Sequence, residues 1–214
     1  MIKGVLFDMD GVLVDSEKFI CQAAIMMFAE IGLTVKPDDF IPFIGKGENL
    51  YLGGVAEKYS CPVDIDKIKA RTYAIYETIV SGKLEPLAGV HQFIGRCKER
   101  GLRLAVATSA DKVKMMVNLR EIGLQPTLFD ALVNGLDVER KKPFPDIFIL
   151  AANRMGLNAS DCLVVEDAVS GVEAAKAAGA RCLALTTSFN MSQLKSADWI
   201  APTLAEAPDE ALNW

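Results

Sequence analysis

The chain has a single histidine, His91, and no pair of cysteines in a C-x-x-C arrangement. A Ser-His-Asp hydrolase would have to use this one histidine, and a zinc site of several histidines is excluded. Because neither a nucleophile elbow nor a partner motif accompanies His91, we predict that it lies on an amphipathic helix. The 5 cysteines are an odd number and lie far apart, which predicts reduced thiols rather than a disulfide framework.

The sequence also lacks the features of membrane proteins and nucleic-acid-binding proteins. Because its start lacks an n-region and h-region with a cleavage site, we expect no secretory leader, and no apolar stretch comes near the ~20 residues that a membrane span needs. Its net charge of -5 does not supply the basic surface that phosphate backbones and anionic membranes require. We therefore expect a cytoplasmic protein that binds neither nucleic acid nor membranes. The sequence does not indicate an oligomeric state.

What the chain does contain is an alternation of short apolar runs with amphipathic segments. The runs, which predict strands, are IKGVLF, LRLAVAT, ALVNG, CLVV and RCLALTT. The amphipathic segments predict helices, each closed by a glycine suited to a left-handed C-cap: Gly101, Gly123, Gly156 and Gly179. Strands that alternate with helices predict an α/β fold with a doubly wound parallel sheet, in which ligands bind at the carboxyl ends of the strands.

One region interrupts this alternation, because residues 16–84 contain only helical patterns. The first pattern runs up to Gly32, and two more follow around 50–59 and 68–80, the last after a helix-start candidate, Asp66. Such a stretch directly after the first strand predicts a small all-helical cap domain inserted into the core.

The predicted core domain is formed by residues 1–15 and 85–214, and the cap domain by residues 16–84. The segments LVDSE and GKLEPLAG are the two predicted hinges, with Pro86 and Gly89 marking the return to the core.

Polar side chains collect where the predicted core strands end or in the loops between them. They are Asp8, Asp10, Thr108, Ser109, Lys142, Glu166 and Asp167. Carboxylates and backbone carbonyls make an all-oxygen site that suits a hard cation such as Mg²⁺. A lysine and a hydroxyl beside it suit a phosphoryl group, whose charge needs donors and cations. The set therefore predicts a magnesium site next to a phosphate-binding site.

Each member of this set also has a simpler interpretation. The Thr-Ser pair could cap the next helix, and the two lysines before Pro143 could lie in a solvated loop. The Glu-Asp pair could be acids favoured at a helix start, and the first two acids with their glycine could form a surface turn. A functional site is favoured because all of these residues fall on one edge of one sheet.

Four motifs, in order along the chain, carry a resemblance to a known family: FDMDGVLVDSE, AVATSA, KKPFPDIF and VVEDAVSGVEAAKAAGA. The sequence resembles the haloacid dehalogenase (HAD) superfamily of aspartate-dependent phosphotransferases. Within it, the helical insertion resembles the branch typified by β-phosphoglucomutase and sugar-phosphate phosphatases. The resemblance implies a Rossmann-like core with a helical cap.

The resemblance also implies a role for each matched residue. Asp8 matches the nucleophile that forms an aspartyl-phosphate, and Asp10 matches the general acid and base, whose backbone carbonyl would also face the metal. The implied catalytic residues are Asp8, Asp10, Thr108 and Lys142. The implied phosphate-binding residues are Thr108, Ser109 and Lys142. The implied ligands of Mg²⁺ are Asp8, Asp10, Glu166 and Asp167.

The cap differs from that of the mutases in this branch, which carry a histidine after the first motif and an arginine in a G-x-S-R stretch. Here SEKFICQAA has no histidine, and FIGKGENL has Glu48 at the place of the arginine. A glutamate there would repel a second phosphate. Lys46 could supply a cation instead, although a lysine in a Gly-x-Gly turn is more often solvated. We therefore expect a phosphatase acting on a small phosphorylated metabolite, such as a sugar phosphate, with a phosphosugar mutase as the alternative. The cap specificity candidates are Gly45, Lys46, Gly47 and Glu48.

Two alternatives come from other classes of protein. A phosphoreceiver domain also places acids, a hydroxyl and a lysine at strand ends, but the helical insertion and the spacing of Asp8 and Asp10 argue against it. A regulatory module that keeps the fold without catalysis is the other alternative, and the presence of every matched catalytic residue argues against that.

Overall fold

The computed structural model describes residues 1–45 and 47–214, and its centre is a parallel sheet. The sheet has six strands in the order β3-β2-β1-β4-β5-β6, and every neighbouring pair is parallel. Their bounds are β1 Gly4–Phe7, β2 Arg103–Ala107, β3 Ala131–Val133, β4 Cys162–Glu166, β5 Arg181–Leu185 and β6 Trp199–Ala201. The first strand lies in the middle of the sheet, so its carboxyl end is flanked by those of β2 and β4.

Five of these strands were predicted, and the sixth was missed. In β6 only Ala201 is buried, while Trp199 and Ile200 are half-exposed. Its apolar run, Trp199–Ala201, has only three residues, which is shorter than the ~4–8 residues that identify a strand by pattern.

Helices cover both faces of the sheet, as a doubly wound fold requires. Val5 and Phe7 pack into one apolar cluster, and Leu6, which points the other way, packs into the second. The helices of this part are α4 Val90–Glu99, α5 Lys112–Glu121, α6 Asp146–Arg154 and α7 Val169–Ala177. The predicted closing glycines all have positive φ, from 68° at Gly101 to 77° at Gly179. His91 is exposed on α4, as predicted.

Between β1 and α4 the chain forms three helices, which are α1 Glu17–Glu30, α2 Glu48–Lys58 and α3 Ile65–Val80. We call residues 16–84 the cap segment. The start of α3 corrects one prediction: the capping residue is Asp64, whose carboxylate accepts the Lys67 N–H at 3.2 Å, whereas Asp66 lies within the first turn. The cap segment shares one apolar cluster with the core, so the domain boundaries stay a prediction.

The two predicted hinge segments run side by side. Val14 forms a β-bridge with Pro86, and the Leu87 N–H donates a hydrogen bond of 3.0 Å to the Leu13 carbonyl. The chain therefore leaves the sheet and returns to it at one place, next to the end of β1.

The five cysteines are free thiols, as predicted. Among the described residues, no helix combines the length and the apolarity that crossing a bilayer requires. The cytoplasmic location stays a prediction.

Candidate active site

The carboxyl ends of β1, β2 and β4 bring the predicted core residues together. Asp8 directly follows β1, and its N–H donates to the Val165 carbonyl of β4 at 3.0 Å. Thr108 directly follows β2, while Glu166 ends β4 and Asp167 comes next. All four are buried, with exposed fractions of 8%, 2%, 1% and 5% for Asp8, Thr108, Glu166 and Asp167. The order of the strands in the sheet thus brings residues that are distant in sequence next to one another.

Lys142 contacts two of these acids. Its Nζ lies 2.5 Å from Asp8 Oδ1 and 2.6 Å from Glu166 Oε1, and 4.9 Å from the centre of the Phe148 ring. Only 6% of its side chain is exposed, so the solvated-loop interpretation is wrong. Burial alone would lower the pKa of Lys142, but the charges of Asp8 and Glu166 raise it. The lysine therefore stays protonated.

The acids remain in excess over this one cation. Burial raises the pKa of Asp8 to about 7, against the opposing effect of Lys142. Burial and the charges of Glu166 and Asp8 also raise the pKa of Asp167. Charged carboxylates are costly at such a site unless more positive charge is supplied.

Three of the acids can hold a metal ion together. One carboxylate oxygen each from Asp8, Glu166 and Asp167 lies within 4.8 Å of the others, and all three residues are buried. An all-oxygen donor set with excess negative charge fits a divalent hard cation such as Mg²⁺. The side chain of Asp10 lies outside this group, and its implied contribution through the backbone carbonyl stays a prediction.

The carboxylate of Asp10 instead has partners that the sequence did not single out. Oδ2 accepts from Lys114 Nζ at 2.8 Å, and Oδ1 accepts from the hydroxyl of Ser16. Asn118 Nδ2 donates to the Ser16 hydroxyl at 3.3 Å and its side-chain carbonyl accepts from the Tyr76 hydroxyl. This chain of contacts joins β1, α5 and the cap segment.

A signal for part of this network exists in the sequence. Asp111, Lys114 and Asn118 are spaced three and four apart, so they share one face of α5, and all three are buried. A buried polar stripe on a core helix indicates that polar groups lie opposite it.

Thr108 and Ser109 lie beside these acids without capping α5. The residue at the N-cap position is Asp111, and the Thr108 hydroxyl accepts the Ala110 N–H at 3.1 Å. The carboxylate of Asp111 pairs with Lys69 of the cap segment at 3.1 Å. The helix-cap interpretation of the Thr-Ser pair is therefore wrong.

Two glycines are required by the packing of the acids. Gly11 has a φ of 78°, and the Asp167 carboxylate occupies the place where a Cβ would lie. The Glu166 carboxylate occupies the corresponding place at Gly171 in α7. A methyl group at either position would displace a carboxylate of the acidic group.

The glycine of FDMDG and the glycine of VEDAVSG thus belong to the site. Glu166 is further fixed because its Oε2 accepts the N–H groups of Asp167 and Ala168, each at 2.9 Å.

The cap specificity candidates lie at the start of α2. Gly45 is exposed, and Gly47, with a φ of 86°, faces the Ser109 carbonyl. Glu48 is the first residue of α2 and is 6% exposed, with Oε2 lacking a hydrogen-bond partner among the described residues. Burial raises the pKa of Glu48 to about 7. Lys46 lies outside the described residues.

Comparison with known proteins follows from this geometry. Residues 5–185 match the family model described as haloacid dehalogenase-like hydrolase. Protein SUPPRESSOR OF QUENCHING 1, chloroplastic, from Arabidopsis thaliana is 44% identical over 202 residues, which are 92% of this chain but 19% of that protein. The chain thus spans 19% of the length of this relative.

A second relative matches along its whole length. Protein CbbY from Rhodobacter capsulatus is 31% identical, and the match covers 99% of this chain and 97% of that protein. Two crystal structures of CbbY from Rhodobacter sphaeroides are 25% identical to this chain. The one with phosphate has a TM-score of 0.89 and covers 100% of both chains. The other, of a mutant with xylulose-(1,5)bisphosphate, has a TM-score of 0.86 and covers 96% of both.

Proposed function

Since this chain belongs to the haloacid dehalogenase-like hydrolase family, we propose that it is a Mg²⁺-dependent phosphatase acting on a small phosphorylated metabolite, a sugar phosphate. The observation that carries this proposal is the buried Asp8 carboxylate, held 2.5 Å from Lys142 within a group of three acids. The match to CbbY, which was crystallised with a sugar bisphosphate, supports the substrate class.

The Asp8 carboxylate is the nucleophile. One of its oxygens attacks the phosphorus, the bond from phosphorus to the leaving alcohol breaks, and an aspartyl-phosphate forms. Lys142 lowers the repulsion between this carboxylate and the anionic phosphate, and Thr108 and Ser109 donate hydrogen bonds to the phosphoryl oxygens. A Mg²⁺ ion bound by Asp8, Glu166 and Asp167, with the Asp10 carbonyl, would supply further positive charge.

Asp10 is the general acid and base. Its carboxylic acid gives a proton to the leaving oxygen, and the resulting carboxylate takes a proton from the water that attacks the aspartyl-phosphate. Inorganic phosphate leaves and Asp8 is restored. Ser16 and Lys114 bind both oxygens of this carboxylate, so it has to turn from these partners to reach the substrate.

Hydrolysis is favoured over the mutase alternative by the cap segment. Glu48, which stands in the motif where mutases of this branch have an arginine for a second phosphate, is buried, so an anion beside it would meet a carboxylate. Finding hexose 6-phosphate from hexose 1-phosphate and trace bisphosphate, without inorganic phosphate, would overturn this preference.

The test is steady-state release of inorganic phosphate from a panel of sugar phosphates and phenyl phosphate with MgCl₂. We expect Asp8→Asn to lower kcat/KM by at least about 10³-fold, because the amide cannot act as the nucleophile. Asp15→Asn, an exposed change seven residues away, is the control and should leave the rate within twofold. EDTA should abolish turnover and MgCl₂ restore it. An Asp8→Asn variant as active as the parent would exclude this mechanism and favour a module without catalysis.

A further inference from the structure

The seam between the cap segment and the core contains polar atoms whose partners are not found among the described residues. They are Glu17 Oε1, Glu48 Oε2, the Tyr51 hydroxyl and the Tyr73 hydroxyl. Glu48, Tyr51 and Tyr73 are 5–6% exposed, so water outside the protein does not satisfy them. Buried polar side chains in folded proteins nearly always have a partner. The Tyr51 hydroxyl lies beside Glu17 and the Tyr73 hydroxyl beside Glu48, but neither pair has the geometry of a hydrogen bond, which indicates that a ligand supplies the missing partners.

These atoms face the same part of the active site. The Lys114 ammonium, which pairs with Asp10, is close enough to Glu48 and Glu17 that their charges, with that of Asp10, raise its pKa although burial would lower it. The Tyr73 hydroxyl lies near Glu48. The acids with orphaned oxygens, Glu17 and Glu48, thus lie near the lysine that holds Asp10.

The charges of this seam are unbalanced. Its acids are Asp10, Glu17, Glu48 and Asp111, and its cations are Lys69 and Lys114. Lys69 is already paired with Asp111, and Lys114 with Asp10. No cation among the described residues of the seam is left for a second anionic group. A phosphate or carboxylate here would meet the charges of Glu17 and Glu48.

We propose that this seam binds the leaving group of the substrate, and that it selects an uncharged, hydroxyl-rich sugar over one that carries a second phosphate. Sugar hydroxyls donate to the carboxylates of Glu17 and Glu48 and accept from the hydroxyls of Tyr51 and Tyr73. A polyol thereby satisfies all four orphaned atoms. A second phosphate has no hydrogen-bond donors, so it cannot satisfy the two carboxylates. The inference rests on the proposed phosphatase activity and specifies the substrate of that site.

The test uses matched pairs of esters that differ only in the second phosphate. They are fructose 6-phosphate with fructose 1,6-bisphosphate, and glucose 1-phosphate with glucose 1,6-bisphosphate. At pH 8, where Glu48 with its pKa of about 7 is ionised, we expect kcat/KM for the better monophosphate to exceed that of its bisphosphate at least about tenfold, because the bisphosphate brings an anion next to two carboxylates. We expect Glu48→Gln to reduce this ratio at least threefold.

Tyr73→Phe provides a second variant and a second readout. It should lower kcat/KM for the monophosphate at least threefold more than it lowers kcat/KM for phenyl phosphate, since phenol has no further hydroxyl to bind. Glu57→Gln, an exposed change on the same helix as Glu48, is the control and should leave every ratio unchanged.

The outcomes separate this inference from the proposed function. A parent protein that releases phosphate from none of the esters overturns both. A parent that hydrolyses phenyl phosphate through Asp8, yet prefers a bisphosphate or no sugar ester, overturns the inference alone. The same holds if Glu48→Gln and Tyr73→Phe both leave the ratios unchanged, which would assign the orphaned atoms to bound water.

Discussion

The two halves of the active site differ in how their charges are compensated. The core half is formed by Asp8, Lys142, Glu166 and Asp167, and the cap half by Asp10, Lys114, Glu17 and Glu48. In the core half, Lys142 contacts two acids at once, and Glu166 accepts two backbone N–H groups in addition. In the cap half, Lys114 serves Asp10, and nearby Glu17 and Glu48 each keep an oxygen without a hydrogen bond among the described residues. The core half is organised before a substrate arrives, whereas the cap half is completed by it.

We therefore expect the core half to determine the rate for all substrates and the cap half to determine the specificity. Groups fixed by strand ends act on the phosphoryl group, which every substrate shares, so changes there should slow all esters alike. Groups on the cap helices contact the part that differs between substrates, so changes there should alter the ratio between esters.

The largest effect is expected where the core half loses its cation. Lys142→Met keeps the length of the side chain but leaves Asp8 and Glu166 buried without their shared counter-charge. We expect kcat/KM to fall by about 10² to 10³ for sugar phosphates and phenyl phosphate alike. The free energy of unfolding should fall by about 3–5 kcal/mol in the absence of Mg²⁺. Phosphate release and urea denaturation measure the two quantities.

Lys195→Met is the matched control, because this lysine is exposed in the loop between β5 and β6 and has no ion pair among the described residues. It should change the free energy of unfolding by no more than about 0.5 kcal/mol and kcat/KM by no more than about twofold. A Lys142→Met protein that loses activity towards sugar esters but keeps it towards phenyl phosphate would contradict the division between the halves.

The core half could be predicted from sequence because its residues directly follow strands. A strand end fixes the position of the next residue, and parallel strands meet at one edge, so Asp8, Thr108 and Glu166 could be grouped without coordinates. The solvated-loop interpretation of Lys142 was wrong because the fold turns this loop inward, which composition does not reveal.

The cap half could be predicted only in part. Glu48 was found through its place in a motif, but Glu17, Tyr51 and Tyr73 were not assigned to the site. Each lies on an amphipathic helix, and whether a given face of that helix packs on its own segment or on the core depends on docking. Lys114 was missed for the same reason, although its spacing from Asn118 carried a signal.

A smaller effect is expected where the cap half loses its cation. Lys114→Met removes the partner of Asp10 and a positive charge that lies near Glu17 and Glu48. We expect kcat/KM for a sugar monophosphate to fall about tenfold, since the charge that holds Asp10 is lost. Because the seam becomes more negative, the preference for a monophosphate over its bisphosphate should widen at least threefold, opposite to the effect of Glu48→Gln.

Lys112→Met, on the same helix but exposed, should leave both the rate and the preference unchanged. If Lys114→Met instead narrows the preference for a monophosphate over its bisphosphate, the lysine binds the second phosphate. The division between the core half and the cap half is then wrong.

The smallest effect is a pH dependence of stability that comes from Glu48. Burial raises its pKa from 4.5 to about 7, with Lys114 opposing the shift and Asp111 and Asp10 adding to it, while the Tyr73 hydroxyl lies beside it. Between these two values the folded protein keeps a proton that the unfolded chain releases, so stability falls as pH rises. Relative to the Glu48→Gln variant, the free energy of unfolding of the parent should fall by about 2–3 kcal/mol between pH 4.5 and pH 7, and it should level off above pH 7. Melting temperatures of both proteins across pH 4.5–8, with Glu57→Gln as the control, measure this difference. If the two curves stay parallel, Glu48 is solvated rather than enclosed, and the cap half is open where the structure closes it.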